Sequence, residues 1–147
     1  MQVLEIQQQT PEWFQARKGK MTASHADCIG ANGKGLESYI IQIMSETFSR
    51  ADKEIFSNEH TERGNELEAT ARNLYEFETA QDVTEVGFII FNDYVGCSPD
   101  GLVGQEGLIE IKCHSDPKFI KLLLDGEIES KYIWQMQMQM QIFLIVK

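Results

Sequence analysis

The sequence predicts an α/β sandwich, with strands gathered in the middle of the chain and helices on either side. Three observations carry that expectation. Apolar residues recur at helical spacing at Leu36, Ile40, Ile43, Met44 and Phe48. From Val83 to Phe91 the chain is rich in β-branched and aromatic residues, as strands are. Beyond these, Ser115-Asp116-Pro117 opens a further helix through Leu124, which Asp125-Gly126 closes.

The elements follow in order. Thr10-Pro11-Glu12-Trp13 has the form of a helix start, with Thr10 as N-cap and proline in the first turn. Three glycines between Gly30 and Gly35 predict a loop before the helix from Leu36 to about Phe48. A second long helix is expected from about Asn58 to Phe77, burying Leu67, Ala71, Leu74 and Tyr75. Val83–Phe91 and Tyr94–Ser98 read as strands. Leu102-Val103 and Leu108-Ile109 flank the turn-prone Gly104-Gln105-Glu106-Gly107 and predict a hairpin. The run from Trp134 to Gln141 alternates at a strand's period. Methionine and glutamine are nonetheless good helix formers and poor strand formers, so a helix is expected. The last six residues, Ile142-Phe143-Leu144-Ile145-Val146-Lys147, form an apolar ending that calls for a covering surface.

With 147 residues the chain fits a single domain, 1–147, long enough to bury a core. No apolar run reaches the ~20 residues of a membrane helix, and Met1-Gln2-Val3-Leu4-Glu5 lacks the features of a signal peptide. Three cysteines without a CxxC pair argue against a disulfide framework or a zinc knuckle, so a reducing, cytoplasmic setting is expected. The net charge of −10 weakens a nucleic-acid reading without excluding it. Residues 1–35 carry four bases against three acids, residues 36–110 four against sixteen, and residues 111–147 five against four. The acidity therefore sits in the middle of the chain.

That middle holds the candidate chemistry. Strand residues two apart share a face, so Glu110 and Lys112 project together while Ile111 turns away. The hairpin brings Asp100 to them, placing two carboxylates and a lysine around one point. Taken alone, this spacing is weak evidence, and an exposed polar hairpin explains it as well. Glu68 and Arg72, four apart on the second long helix, share a face, as an ordinary surface ion pair would. Gly64, costly within a helix, suggests the close approach of another backbone. His25, His60 and His114 lack metal-ligand spacing, Cys97 and Cys113 fit packing roles, and Trp13 and Phe14 fit a core. Without further context Arg17 is a helix C-terminal cation and Ser24 an N-cap for a helix from His25 to Ile29.

Five blocks occur in order: Trp13-Phe14-x-x-Arg17-x-Gly19-x-x-Thr22-Ala23-Ser24; Gly64-x-x-x-Glu68-x-x-Ala71-Arg72-x-x-Tyr75-Glu76; Cys97-Ser98-Pro99-Asp100-Gly101; Glu110-x-Lys112-Cys113; and Trp134-Gln135-x-Gln137. Together they resemble the YqaJ-like viral recombinase and bacteriophage lambda exonuclease family, within the PD-(D/E)xK nuclease superfamily. The resemblance spans residue 10 to about 143. It implies a restriction-endonuclease-like α/β/α sandwich with a central mixed sheet. Members of the family are longer, so the chain is expected to be C-terminally incomplete, lacking their last strands and helices and leaving a sheet edge open.

The resemblance also implies roles. Asp100, Glu110 and the backbone carbonyl of Ile111 would ligate Mg²⁺ or Mn²⁺, Glu68 would complete a two-ion site, and Lys112 would orient or deprotonate the attacking water. All-oxygen ligands suit these hard cations rather than zinc. Arg17, Ser24 and Ser98, with Gln135 nearby and Gln137 as a possible addition, would bind a 5′-terminal phosphate of DNA. The implied activity is a metal-dependent deoxyribonuclease, foremost a 5′→3′ exonuclease on double-stranded DNA ends in phage recombination. Its rivals are an endonuclease using the same site and a non-catalytic remnant binding DNA ends or a partner. The implied partners are double-stranded DNA ends, a single-strand annealing recombinase and two further copies in a homo-trimer, with no membrane.

Overall fold

The computed structural model describes residues 2–49 and 59–145. A four-stranded mixed sheet runs in the order β1 (Gln2–Leu4), β4 (Phe88–Ile90), β5 (Val95–Cys97), β2 (Met21–Thr22). Only β2 and β5 are parallel; the other two pairings are antiparallel. A second sheet, of three antiparallel strands, has the order β3 (Val83–Thr84), β6 (Gly101–Val103), β7 (Gly107–Ile109). The helices are α1 (Pro11–Arg17), α2 (Ala26–Ala31), α3 (Lys34–Phe48), α4 (Glu59–Thr79), α5 (Asp116–Asp125) and α6 (Ser130–Ile145).

Local chemistry accounts for most of these elements. Thr10 Oγ1 caps α1 by accepting from Trp13 N, and Pro11 opens the helix. Gly126, in the left-handed region at φ 68°, closes α5 as expected. The expected hairpin forms between β6 and β7, with Leu102 opposite Leu108. The tail is helical: composition prevails over the alternating pattern.

Several expectations change. The Gly30–Gly35 loop shrinks to Asn32-Gly33, because Asn32 adopts the left-handed conformation at φ 48° and lets α2 and α3 continue on both sides. The single strand expected over Val83–Phe91 divides into β3 and β4, which belong to different sheets. Gly87 lies at that break, where a Cβ would collide with the carbonyl of Ile6, so only glycine admits this close approach. Among the described residues Gly64 has no atom within 4 Å of where a Cβ would sit, so no close backbone there explains it. Leu67 and Leu74 are exposed at 37% and 55%, and among the described side chains of α4 the buried one is Arg72. Asn58, the expected start of that helix, lies outside the described residues.

The core consists of Ala23, Val86, Ile89, Cys97, Ile142 and Phe143, with Phe91, Val95, Leu102, Leu108 and Met138 packed against it. Ile142 and Phe143, read as an ending in need of a covering partner, are thus buried in the chain's own core. Helix α6 runs over α2 and over the short 3₁₀ turn Ala23–His25. The segment Ser98-Pro99-Asp100 crosses from the four-stranded sheet to the three-stranded one, and its Pro99 is fully buried.

Candidate active site

Two side-chain groups form around that crossover. The first contains the expected acids. Asp100 N donates to Ile109 O at 3.1 Å, and Asp100 Oδ2 accepts from Ile111 N at 2.5 Å, so the aspartate closes the base of the β6–β7 hairpin. Glu110 and Lys112 follow β7 and their side chains are paired. The Glu110 side chain is only 5% exposed. Its Oε1 accepts from Gln135 Nε2 and its Oε2 from Gln139 Nε2, both at 2.6 Å. Lys112 Nζ also lies 5.3 Å from the centroid of the Tyr132 ring, within reach of a cation–π contact.

Glu68 enters from α4. Its Oε1 accepts from Arg72 Nη2 at 3.0 Å, while Arg72 Nη1 reaches Glu85 at 2.5 Å. The Arg72 side chain is 11% exposed, so the pair is not the ordinary surface ion pair that its spacing suggested. Among the described residues Arg72 Nε has no hydrogen-bond partner.

Burial and mutual repulsion shape the electrostatics. Asp100 is pushed up to about 7, first by burial, then by Glu110 and Glu68, against the opposing pull of the Ile111 N–H and Lys112. Glu68 is raised in the same direction, first by burial; Arg72 opposes this, and Glu110 and Glu85 add to it. Burial pushes the Cys97 thiol up to about 12, which makes it an inert packing group.

Asp100 and Glu68, both raised first by burial and further by neighbouring carboxylates, stand with Glu110 in a site with an affinity for positive charge. Asp100, Glu110, Glu68 and the Ile111 carbonyl make an all-oxygen donor set, which suits a hard divalent cation in kind. As arranged, no three His, Cys, Asp or Glu side chains among the described residues are grouped to hold a metal ion. Glu110 is turned to its amides and lysine, and Glu68 to Arg72.

The second group lies on the other side of the crossover. Arg17 Nη1 donates to Ser98 Oγ at 3.1 Å, and its guanidinium carbon lies 4.1 Å from the centroid of the Trp13 ring. Trp13 Nε1 donates to Ser98 Oγ at 3.0 Å and to Gly87 O at 2.9 Å. Burial lowers the Arg17 pKa, against the strong intrinsic preference of a guanidinium for its charged form. A cleft of about 330 Å³ opens here, lined among others by Trp13, Arg17, Thr22, His25 and Tyr39.

The remaining expected residues are placed less directly. Ser24 is not an N-cap. It sits in the 3₁₀ turn, and its hydroxyl meets Thr22 Oγ1 at 3.1 Å and His25 Nδ1 at 3.2 Å rather than Arg17 or Ser98. Gln135 bonds Glu110, and Gln137 lies on the exposed face of α6. His25 stacks on Tyr39 with ring centroids 4.1 Å apart.

Residues 12–142 match the YqaJ-like viral recombinase domain. The chain belongs to that family. Among solved structures it is similar to an alkaline exonuclease, LHK-Exo, from Laribacter hongkongensis, with 40% identity and a TM-score of 0.79 over 89% of this chain and 67% of that one. LHK-Exo in complex with dAMP is similar at 41% identity, with the same TM-score and coverage. No curated protein matches the chain. At this identity the likeness carries the restriction-endonuclease-like fold.

Within the YqaJ-like domain, the reading from sequence missed Gln139 and undervalued Trp13. Gln139 lies one helical turn beyond Gln135, a spacing that places both amides on one face. Trp13, read as core, is the residue that holds Arg17 and Ser98 together.

Proposed function

We propose that this YqaJ-like domain is a divalent-metal-dependent deoxyribonuclease that works as a 5′→3′ exonuclease on double-stranded DNA ends. The observation that carries this reading is the pair of groups flanking one three-residue crossover: Asp100 with Glu110, Lys112 and Glu68 on one side, Ser98 with Arg17 and Trp13 on the other. The similar solved protein is an alkaline exonuclease, seen also with dAMP, which supports the same reaction class here.

Asp100, Glu110 and the Ile111 carbonyl would hold Mg²⁺ or Mn²⁺, with Glu68 completing a second position. Such ions supply stabilisation of the attacking and leaving oxygens in an in-line displacement. The protein's own contribution is positioning. The Ile111 N–H fixes Asp100, and the Gln135 amide holds Glu110. Lys112, held between Glu110 and the Tyr132 ring, orients the water that attacks phosphorus. Arg17 and Ser98 receive the 5′-terminal phosphate, for which a planar guanidinium offers paired donors. Ser24 stands between Thr22 and His25, which line the same cleft as Arg17, and joins that contact when the end is bound.

Incubation with Mg²⁺ tests the reading. Linear duplex DNA with 5′-phosphates is expected to release nucleoside monophosphates, closed circular DNA to stay intact, and EDTA to stop the reaction. Nicking of the circle makes the site an endonuclease. DNA-end binding without cleavage, unaltered in Asp100→Ala, makes the domain a non-catalytic binder.

A further inference from the structure

The proposed reaction leaves Gln139 without a part, although its position is exceptional. Its side chain is 1% exposed, among the largest fully buried groups, on a helix whose nearby Met138, Ile142 and Phe143 belong to the apolar packing. A buried amide costs stability unless its polar atoms are paired, so a polar residue here needs a reason. The reason on the page is Glu110. Gln139 Nε2 donates to Oε2 and Gln135 Nε2 to Oε1, each at 2.6 Å, so one helix grips both oxygens of one carboxylate.

We propose that Gln139 is a positioning residue which, with Gln135, clamps both oxygens of Glu110 and sets its orientation toward a divalent cation. The proposal rests on the metal-dependent nuclease reading. Neutral amides suit this task. A second lysine or an arginine would hold the carboxylate equally well but would cancel the charge that attracts the cation. An amide fixes direction and leaves that charge in place. Lys112, on Oε1, already supplies the one cation that the water needs nearby. The second amide ties Oε2 independently of Oε1, so the pairing of Oε1 with Lys112 does not set the carboxylate's orientation alone.

The test uses Mn²⁺ alone, titrated calorimetrically into wild type and Gln139→Met without DNA, beside steady-state kinetics and the urea midpoint. Methionine keeps volume and helix propensity while removing the donor. Hydrogen-bond partners of metal ligands change metal affinity or activity by about 10–100-fold. Gln139→Met is therefore expected to bind Mn²⁺ about tenfold more weakly and to lose kcat by a similar factor, with KM for DNA ends within twofold. Gln139→Glu, of the same shape but with a charge facing Glu110, is expected to show the same split between kcat and KM. Wild-type Mn²⁺ affinity in Gln139→Met overturns the clamp. Loss of the fold in both variants also overturns it, making Gln139 a structural residue. Absence of Mn²⁺ binding by wild type is a different result: it removes the nuclease reading, and the clamp falls with it.

Discussion

Asp100→Asn is expected to stabilise the metal-free protein at alkaline pH while abolishing its response to metal. The aspartate is pushed from 3.8 up to about 7, so folding favours its protonated form. Its stabilising contribution is then fully present below about pH 4 and is lost as pH rises through 7. Each pH unit in that window costs at most about 1.4 kcal/mol, a ceiling near 4 kcal/mol at pH 8. Partial solvent access screens the repulsion, and the ionised acid gains a charge-assisted bond from Ile111 N, so a net penalty of about 1–2 kcal/mol is expected. Asparagine keeps an acceptor for that N–H and carries no charge at any pH. Thermal unfolding followed by circular dichroism in EDTA at pH 5 and pH 8 reads the difference. The variant is expected to melt about 3–6 °C above wild type at pH 8, with little gain at pH 5. Mg²⁺ added at pH 8 should raise the wild-type melting temperature and leave the variant's unmoved. In wild type, metal affinity should fall as pH drops below 7, because proton and cation compete for Asp100. A variant no more stable than wild type at pH 8 refutes the repulsion argument, and one that still responds to Mg²⁺ refutes Asp100 as a ligand.

Three further outcomes are expected. Arg17→Ala should lose about ten- to hundredfold in kcat/KM on 5′-phosphorylated ends, the worth of a charged hydrogen bond, with little change on 5′-hydroxyl ends; equal loss on both substrates removes the phosphate contact. Lys112→Met should lower kcat by about 10²–10⁴-fold while leaving Mn²⁺ binding near wild type, since the carboxylates remain; calorimetry beside kinetics separates the two. Ile89→Ala, at a fully buried core position, should cost about 2–5 kcal/mol in urea unfolding; a cost below 1 kcal/mol removes Ile89 from the core.

What was legible in the sequence was local. The hairpin joining Asp100 to Glu110 and Lys112 needs only a turn and a period of two, both readable over ten residues. Helix α5 announces itself by Ser115, Pro117 and Gly126. Less legible were features whose cause lies far along the chain. Strand β1 exists because Leu4 pairs with Phe88, and nothing within Gln2-Val3-Leu4 indicates this. The division of Val83–Phe91 depends on the Ile6 carbonyl approaching Gly87. In α4, counting apolar residues placed Leu67 and Leu74 inward, whereas both are exposed; Ala71 and Tyr75 are half-buried beside the ion pair of Glu68 with Arg72. A rule that equates inside with apolar fails where the inside is a site.

The crossover shows why acidity and DNA chemistry coexist in this chain. Sixteen acids between residues 36 and 110 argue against phosphate binding if charge is counted by sum. The acids that bear on the site, however, are partly buried and press on one another, and the cation proposed for them converts the repulsion into affinity for phosphate oxygens. The basic contact is kept apart on Ser98, reached by Arg17 from α1. Ser98 and Asp100 are two residues apart, a span of at most about 7 Å of backbone. That span is comparable to the sugar–phosphate length of one nucleotide. Pro99 between them is fully buried, and its carbonyl is tied to Gln8 Nε2 at 3.0 Å, so the spacing is rigid. On the proposed reading, one end phosphate held at Ser98 presents the next phosphate at Asp100.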